Sequence, residues 1–174
     1  MSGGDDDDVI QGWAGADEID GGDGDDTLGA GNGNDLVRGG AGDDRIGGNR
    51  GDDTLIGGEG ADRMIGGEGN DTLYLEGADW ADGGPGNDRY VITGEGEGLP
   101  AIGFFNANED ALVVALENIH GVTEDMFELR ESAPGEAGGT YLLLVEDGVE
   151  TPLVFLNGVG VVSIGDLELI LQAA

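Results

Sequence analysis

Residues 21–29 read GGDGDDTLG, residues 39–47 read GGAGDDRIG and residues 66–74 read GGEGNDTLY. These are copies of one nine-residue pattern, G-G-x-G-x-D-x-U-x, in which U is a large apolar residue. Rows of this pattern begin at Gly3, Gly12, Gly21, Ala30, Gly39, Gly48, Gly57 and Gly66, and a last full row, GGPGNDRYV, begins at Gly83. An internal repeat of this length predicts a solenoid in which each row is one structural unit.

Two positions of the row carry the chemistry. The sixth is aspartate throughout, at Asp8, Asp17, Asp26, Asp35, Asp44, Asp53, Asp62, Asp71 and Asp88. The eighth is apolar, at Ile10, Ile19, Leu28, Val37, Ile46, Leu55, Met64, Leu73 and Tyr90. One residue is missing between Leu75 and Asp82, and placing Asp79 in the sixth position restores the register with Ala81 in the apolar one.

The spacing predicts how one row folds. Glycine at positions one, two and four permits positive φ, so the first six residues should form a wide turn. The last three suit a short strand whose middle side chain points inward. Two rows then make one coil of 18 residues. We therefore predict an all-β fold: a right-handed parallel β-roll over residues 1–91, with two short parallel sheets and a thin core between them.

Such a core cannot fold this chain unaided. One buried apolar side chain per row contributes about 1.5–3 kcal/mol, whereas ordering nine residues costs on the order of 10 kcal/mol. The chain also carries 38 acidic residues and 6 arginines, with no lysine, for a net charge of −32. This charge opposes compaction and excludes DNA, RNA and anionic membranes as partners. Without a cationic ligand, the expected state is disorder.

Residues 18 apart should lie above one another on the same edge of the roll. One edge would stack Asp8, Asp26, Asp44, Asp62 and Asp79, and the other Asp17, Asp35, Asp53, Asp71 and Asp88. Carboxylates one strand spacing apart, near ~4.8 Å, repel unless a cation lies between them. Hard oxygen ligands in a flexible glycine-rich turn suit Ca²⁺ better than Mg²⁺, which demands tighter octahedral geometry.

These rows resemble the RTX (repeats in toxin) family of Gram-negative secreted proteins, whose nonapeptides bind calcium in a parallel β-roll. The resemblance covers residues 3–91. It implies six ligands per ion from two turns of one edge: the second and fourth carbonyls and the aspartate of the first turn, with the first and third carbonyls and the aspartate of the next. One site would use Gly22, Gly24, Asp26, Gly39, Ala41 and Asp44; another would use Gly31, Gly33, Asp35, Gly48, Arg50 and Asp53.

The complete set of backbone-carbonyl ligands that the resemblance implies is Gly4, Gly15, Gly21, Gly22, Asp23, Gly24, Ala30, Gly31, Asn32, Gly33, Gly39, Gly40, Ala41, Gly42, Gly48, Asn49, Arg50, Gly51, Gly57, Gly58, Glu59, Gly60, Gly66, Gly67, Glu68, Gly69, Gly83 and Pro85. Five aspartates on each edge leave four gaps, which implies up to about eight ions. The pattern is broken by Asp6, by Trp13 and by the deletion near Gly77, so sites there should be distorted.

Beyond Val91 the composition changes, and residues 92–174 are expected to form a small antiparallel β-rich cap over the end of the roll. Four segments read as strands: Ala111–Leu116, Thr140–Val145, Leu153–Leu156 and Val159–Ile164. Glu146-Asp147-Gly148 reads as a hairpin turn, and Val122–Leu129 as a short helix capped by Thr123.

Two segments of the cap resemble features of the same family. Gly103–Leu112 is similar to the DFxxGxDxL segment that follows the repeats, and its Asp110 either binds one more ion or caps a turn. The end, Asp166–Ala174, is similar to uncleaved type I secretion signals; otherwise it is a final edge strand.

Nothing in the sequence indicates catalysis, so we predict a binding module and not an enzyme. There is no cysteine, and His120 stands alone without a nucleophile. Trp13 and Trp80 are expected to plug the N-terminal end of the roll and the irregular coil. No apolar run reaches membrane-spanning length.

The leading hypothesis is a calcium-binding roll that leaves a Gram-negative cell unfolded by type I secretion and folds in extracellular calcium. Its expected partners are calcium ions. A polysaccharide or a larger secreted protein are further candidates, because the chain could also be an accessory module of a secreted enzyme, similar to those of alginate epimerases, or a piece of an adhesin.

Overall fold

The computed structural model describes residues 1–93, 97–106, 109–116, 127–131, 139–146, 149–157 and 170–173. All regular elements in these ranges are strands, as predicted. They are β1 (Ser2–Gly4), β2 (Val9–Ala14), β3 (Glu18–Asp23), β4 (Thr27–Asn32), β5 (Leu36–Ala41), β6 (Arg45–Arg50), β7 (Thr54–Glu59), β8 (Arg63–Glu68), β9 (Thr72–Leu75), β10 (Trp80–Asp82), β11 (Arg89–Ile92), β12 (Ala101–Ile102), β13 (Ala111–Leu116), β14 (Phe127–Glu131), β15 (Gly139–Glu146), β16 (Val149–Asn157) and β17 (Ile170–Ala173).

The chain coils between two facing sheets. Odd-numbered strands up to β13, followed by β17, form one sheet in the order β1-β3-β5-β7-β9-β11-β13-β17. The second sheet has the order β14-β15-β16-β12-β10-β8-β6-β4-β2. Val9 pairs with Thr27 and Ile19 with Val37, both parallel and both 18 residues apart. The structure therefore confirms a parallel solenoid with two rows per coil.

The strands are longer than the three residues predicted. Strand β4 runs from Thr27, at the seventh position of one row, to Asn32, at the third position of the next. In the part of the chain that the structure describes, positive φ occurs at the second and fourth positions of the rows and at Gly77 and Gly98. The first position of a row has negative φ and does not open the turn. At the second position, a Cβ on Gly40 would collide with the carbonyl oxygen of Gly22 one coil earlier.

The eighth-position side chains form the core, as predicted. From Ile19 to Tyr90, including Ala81, they are at most 3% exposed. Ala81 pairs with Met64 and Trp80 with Arg63, which confirms the register chosen for the irregular coil. Trp80 packs there, with the Arg63 guanidinium 3.9 Å from its ring centroid.

The prediction that Trp13 plugs the N-terminal end is wrong. Its side chain is 75% exposed, and its backbone has a φ of 75°. Trp13 occupies the second position of its row in β2, the edge strand of the second sheet. No earlier coil of that sheet lies beneath it, so no carbonyl meets its Cβ. Glycine is not obligatory at this position in a later coil either, because Asn49 stands there with a φ of 79°.

The roll continues without interruption into the cap. Strand β13, which coincides with the predicted Ala111–Leu116, pairs in parallel with β11, and β12 pairs in parallel with β10. Among the strands of the described ranges, antiparallel pairing is confined to β14 with β15 and β15 with β16. Glu146 pairs with Val149, which confirms the hairpin; its turn residues 147–148 lie outside the described residues.

The helix predicted over Val122–Leu129 is wrong where it can be compared. Phe127–Glu131 is strand β14, in register with Leu144 through Thr140 of β15. A partner strand distant in sequence overrides the local helical pattern there. Thr123, His120, the predicted strand Val159–Ile164 and residues 166–169 lie outside the described residues. Among the residues described, no helix has the length and apolar character needed to cross a membrane.

Candidate metal centres along the two edges of the roll

The sixth-position aspartates form two columns, one on each edge. In each column the backbone N–H of one aspartate donates to Oδ1 of the aspartate one coil later, as from Asp26 to Asp44 at 2.8 Å and from Asp35 to Asp53 at 2.8 Å. Asp79 joins its predicted column, because the N–H of Asp62 donates to its Oδ1 at 2.9 Å. The carboxylates therefore lie above one another inside the roll instead of pointing into solvent.

The second carboxylate oxygen is left without a partner. Oδ2 is buried and accepts no hydrogen bond in eight aspartates of the described region: Asp17, Asp26, Asp35, Asp44, Asp53, Asp62, Asp71 and Asp88. Seven of these, all but Asp17, are at most 4% exposed. A buried acceptor without a partner costs about 1–3 kcal/mol, and more when it is charged. Eight of them in two columns would destabilise the fold unless a positive charge lies beside them.

The first glycine of each row makes room beside this oxygen. In all eight rows that begin with glycine, a Cβ there would lie 2.7 Å or less from Oδ2 of the aspartate of its own row. In six of them it would also lie 2.6 Å or less from the first carbonyl of the next coil; for Gly21 that carbonyl belongs to Gly39. A side chain at the first position would therefore collide with Oδ2 and with this carbonyl, so the close packing of these two oxygens, and not positive φ, favours glycine there.

The backbone carbonyls fit the implied ligand set in part. The first-position carbonyl of the next coil lies close to Oδ2 and to the first glycine of the row, and these three groups are called the cradle. Those at the third position already accept ladder hydrogen bonds, from Gly24 N–H to Ala41 O and from Gly33 N–H to Arg50 O, both 2.8 Å long. Carbonyls at this position therefore already have a partner in the ladder. A carbonyl has two lone pairs, so the hydrogen bond leaves one for a cation.

Burial makes six of the column aspartates weaker acids than a free aspartate. It raises the pKa of Asp44, Asp53, Asp62, Asp79 and Asp88 from 3.8 to about 6, and that of Asp71 to about 7. Loss of hydration is the largest cause, opposed by the backbone N–H bond to Oδ1 and reinforced for most of them by neighbouring aspartates. Without a cation, the folded roll should therefore take up protons at a higher pH than the unfolded chain does.

The donors of each gap are two carboxylates and backbone carbonyls. No group of three acidic, histidine or cysteine side chains suited to a metal ion occurs in the described parts of the chain. A cation in a gap would therefore take most of its ligands from the backbone. An all-oxygen set of this kind, in flexible turns, fits Ca²⁺.

The irregular coil changes one gap, as the deletion near Gly77 suggested. The cradle of Gly57 holds Oδ2 of Asp62, but the carbonyl that completes other cradles is replaced by Oδ2 of Asp79, 3.0 Å from the added Cβ. That Oδ2 accepts from the Glu76 N–H at 2.9 Å, so it is already bonded within its own turn.

The sequence reasoning missed a ladder of fifth-position side chains on each edge. The N–H of Asp43 donates to Oδ1 of Asp25 at 2.9 Å, and that of Asn70 to Oδ1 of Asp52 at 2.9 Å. These side chains are exposed. Each accepts from the coil that follows it, whereas a sixth-position side chain accepts from the coil that precedes it. The available signal is that the fifth residue is aspartate or asparagine in seven of the nine full rows: Asp7, Asp25, Asn34, Asp43, Asp52, Asn70 and Asn87.

Comparison with known proteins agrees with this geometry. The family described as RTX calcium-binding nonapeptide repeat matches residues 1–28, 20–55, 29–64, 38–73 and 75–91, which together cover just over half of the chain. No curated protein matches the chain. Among solved structures, the extracellular lipase LipA from Serratia marcescens matches with 20% identity over 98% of this chain and 39% of the lipase, at a TM-score of 0.33. The chain thus spans well under half the length of that protein.

Proposed function

Since this chain belongs to the RTX calcium-binding nonapeptide repeat family, we propose that its two aspartate columns bind a series of Ca²⁺ ions that make folding possible. One observation carries the proposal: eight buried carboxylate oxygens without a partner, spaced one coil apart along both edges. Ca²⁺ would supply the positive charge these oxygens need. The repeat is then a binding and folding module and has no catalytic role of its own.

The two oxygens of each carboxylate have different roles in the proposed sites. From Asp26 onward, Oδ1 of each column aspartate accepts from the backbone of the preceding coil, which fixes the direction of the carboxylate. Oδ2 is thereby aimed at the space beside the first glycine. Because adjacent gaps share an aspartate, a filled gap orders the turn that forms the next one. Binding should therefore be cooperative along each edge.

We further propose that the chain is exported unfolded and folds outside the cell. Free calcium in the cytosol is too low to fill weak sites, whereas extracellular calcium is high enough to convert binding free energy into folding free energy. Family membership and the absence of cysteine support this setting. Export by a type I system, with the address in residues 166–174, is part of the same proposal.

A calcium titration of the full chain tests the proposal. Far-UV circular dichroism should show little β-structure in chelator and a sigmoidal gain as calcium is added, reversed by chelator. Magnesium at the same concentrations is the control and should give a much smaller change. An unchanged β-spectrum in chelator at neutral pH would contradict the proposal.

A second candidate function is an accessory module that holds a polysaccharide. An open depression of about 700 Å³ on the outer face of the second sheet is lined by Gln11, Trp13, Asn49, Arg50 and Glu68 among others. An exposed indole beside amide and charged groups is a surface suited to sugars. Affinity electrophoresis in polysaccharide gels should show retardation that Trp13→Ala removes and that Tyr74→Ala, an exposed aromatic of the other sheet, retains. Equal mobility with and without polysaccharide would eliminate this function.

A further inference from the structure

Asp110 continues the second aspartate column after the repeats have ended. The N–H of Asp88 donates to Oδ1 of Asp110 at 3.1 Å, and the N–H of Ala111 donates to the carbonyl of Asp88 at 2.7 Å. The last repeat coil has the same two bonds, from Asp71 N–H to Asp88 Oδ1 at 2.9 Å and from Arg89 N–H to Asp71 O at 2.8 Å. Asp110 thus occupies a sixth position, although it lies 22 residues beyond Asp88 and outside the nine-residue period.

The first half of a cation gap is present beneath it. Asp88 is 1% exposed, and its Oδ2 has no hydrogen-bond partner. A Cβ on Gly83 would collide with that oxygen, as at the first glycine of the other rows, but no carbonyl of a following coil lies within 2.6 Å of that Cβ as in six of those rows. Gly84 and Gly86 also keep positive φ, as at the second and fourth positions elsewhere. The last turn of the repeat is therefore built to receive a cation from the cap side.

The two turns that face this gap are held together by Tyr90. Its side chain is fully buried, and its hydroxyl accepts from the Gly83 N–H at 2.7 Å and donates to the Phe104 carbonyl at 3.1 Å. One end of this bridge is the first residue of the last repeat turn, and the other is in the turn that leads to Asp110. Asp110 itself is 8% exposed.

We propose that one further divalent cation, of the Ca²⁺ class, binds between Asp88 and Asp110 and joins the last repeat coil to the cap. Its carboxylate ligands are Oδ2 of Asp88 and Oδ1 of Asp110. This site rests on the proposed function of the columns and extends it to a residue that the repeat pattern does not contain.

The same geometry recurs at the last described aspartate of each column. Oδ2 of Asp110 accepts from the Asn106 N–H at 2.8 Å, as Oδ2 of Asp79 accepts from the Glu76 N–H at 2.9 Å. One oxygen of each of these two carboxylates is thus bonded within its own turn. Within the described residues, the edge that begins at Asp8 has four gaps up to Asp79, and the edge that begins at Asp17 has five gaps up to Asp110.

The first test counts bound calcium in the full chain by equilibrium dialysis and mass spectrometry of the metal. Asp110→Asn should bind one ion fewer than the wild type. Glu109→Gln is the matched control, because it removes the same charge from the adjacent exposed residue, and it should bind the wild-type number. Equal counts for all three proteins would overturn the site.

The second test does not depend on a variant that folds. An anomalous difference map from wild-type crystals grown in calcium should show a peak between Asp88 and Asp110. Peaks between the repeat aspartates without one at this position would overturn the inference and leave the proposed function intact. A map without peaks in either column would overturn both.

Discussion

Replacing Asp44 by asparagine should have opposite effects with and without calcium. In the folded chain Oδ1 of Asp44 accepts from the Asp26 N–H at 2.8 Å, and an asparagine oxygen can do the same. Its amide nitrogen would take the place of Oδ2, in the cradle that also contains the carbonyl oxygen of Gly57. The amide can donate to that carbonyl. The amide of the variant can thus form a hydrogen bond where Oδ2 of the wild-type carboxylate needs a cation.

The magnitude follows from the pKa of Asp44, which burial raises from 3.8 to about 6. Two pKa units correspond to about 2.7 kcal/mol, and solvent screening reduces this to roughly 1–2 kcal/mol. Above pH 6 the carboxylate is ionised in both folded and unfolded chains, so the folded state bears the whole penalty. Below 3.8 it is protonated in both, and the penalty vanishes. Asp44→Asn should therefore stabilise the metal-free fold by roughly 1–2 kcal/mol at pH 7.5 and by nothing near pH 3.5.

The assay is folding by trimethylamine N-oxide in chelator, followed by circular dichroism, because the osmolyte favours the folded state without a metal. Asp43→Asn is the control: it removes the same charge from the neighbouring exposed residue, and its side-chain oxygen can still accept from the Ala61 N–H. At pH 7.5 Asp44→Asn should fold at lower osmolyte concentration than Asp43→Asn. In calcium the order should reverse, with Asp44→Asn binding less metal. Equal shifts for the two variants would refute the role assigned to Oδ2 and leave net charge as the whole effect.

Three further predictions concern the cradle. Gly39→Ala places a Cβ against Oδ2 of Asp44 and should lower the number of calcium ions bound, measured by isothermal titration calorimetry. Gly47→Ala is the control, because its Cβ would meet only an asparagine amide at 3.8 Å, and it should leave that number unchanged. Equal losses in the two variants would contradict the role of the cradle. Ala30 already carries a methyl group at a first position, so the gap above Asp35 should bind weakly in the wild type, and Ala30→Gly should raise the calcium affinity; an unchanged titration midpoint would count against this. In chelator, acidification from pH 7.5 to 4.5 should increase β-structure. The reason is that burial raises the pKa of aspartates in the folded chain, to about 7 for Asp71, so the folded chain takes up protons at a higher pH than the unfolded chain. Loss of structure over that interval would contradict this reasoning.

Much of the fold follows from local regularity in the sequence. The period of nine, the aspartate in the sixth position and the apolar residue in the eighth were enough to predict two parallel sheets, 18-residue coils and two columns, including the shifted register of Asp79. These features are predictable because each coil contacts only its neighbours, so the period in the sequence is also the period in space.

Long-range contacts explain what the sequence reasoning missed. Phe127–Glu131 pairs with a strand that starts at Gly139, and local pattern alone suggested a helix. The resemblance offered Asp110 as an ion ligand or a turn cap, but the period could not place it in a column, because the previous member is 22 residues away. The ladder of fifth-position side chains depends on backbone N–H groups one coil distant.

The sequence by itself determined which residues line the two edges and that their charge requires a cation. Only the tertiary structure decided which oxygen of each carboxylate is free to meet one. An aspartate has two equivalent oxygens until a backbone N–H 17 or 18 residues away binds Oδ1, and that bond exists only when two coils are stacked. Oδ2 is then directed into the space beside a glycine of its own row.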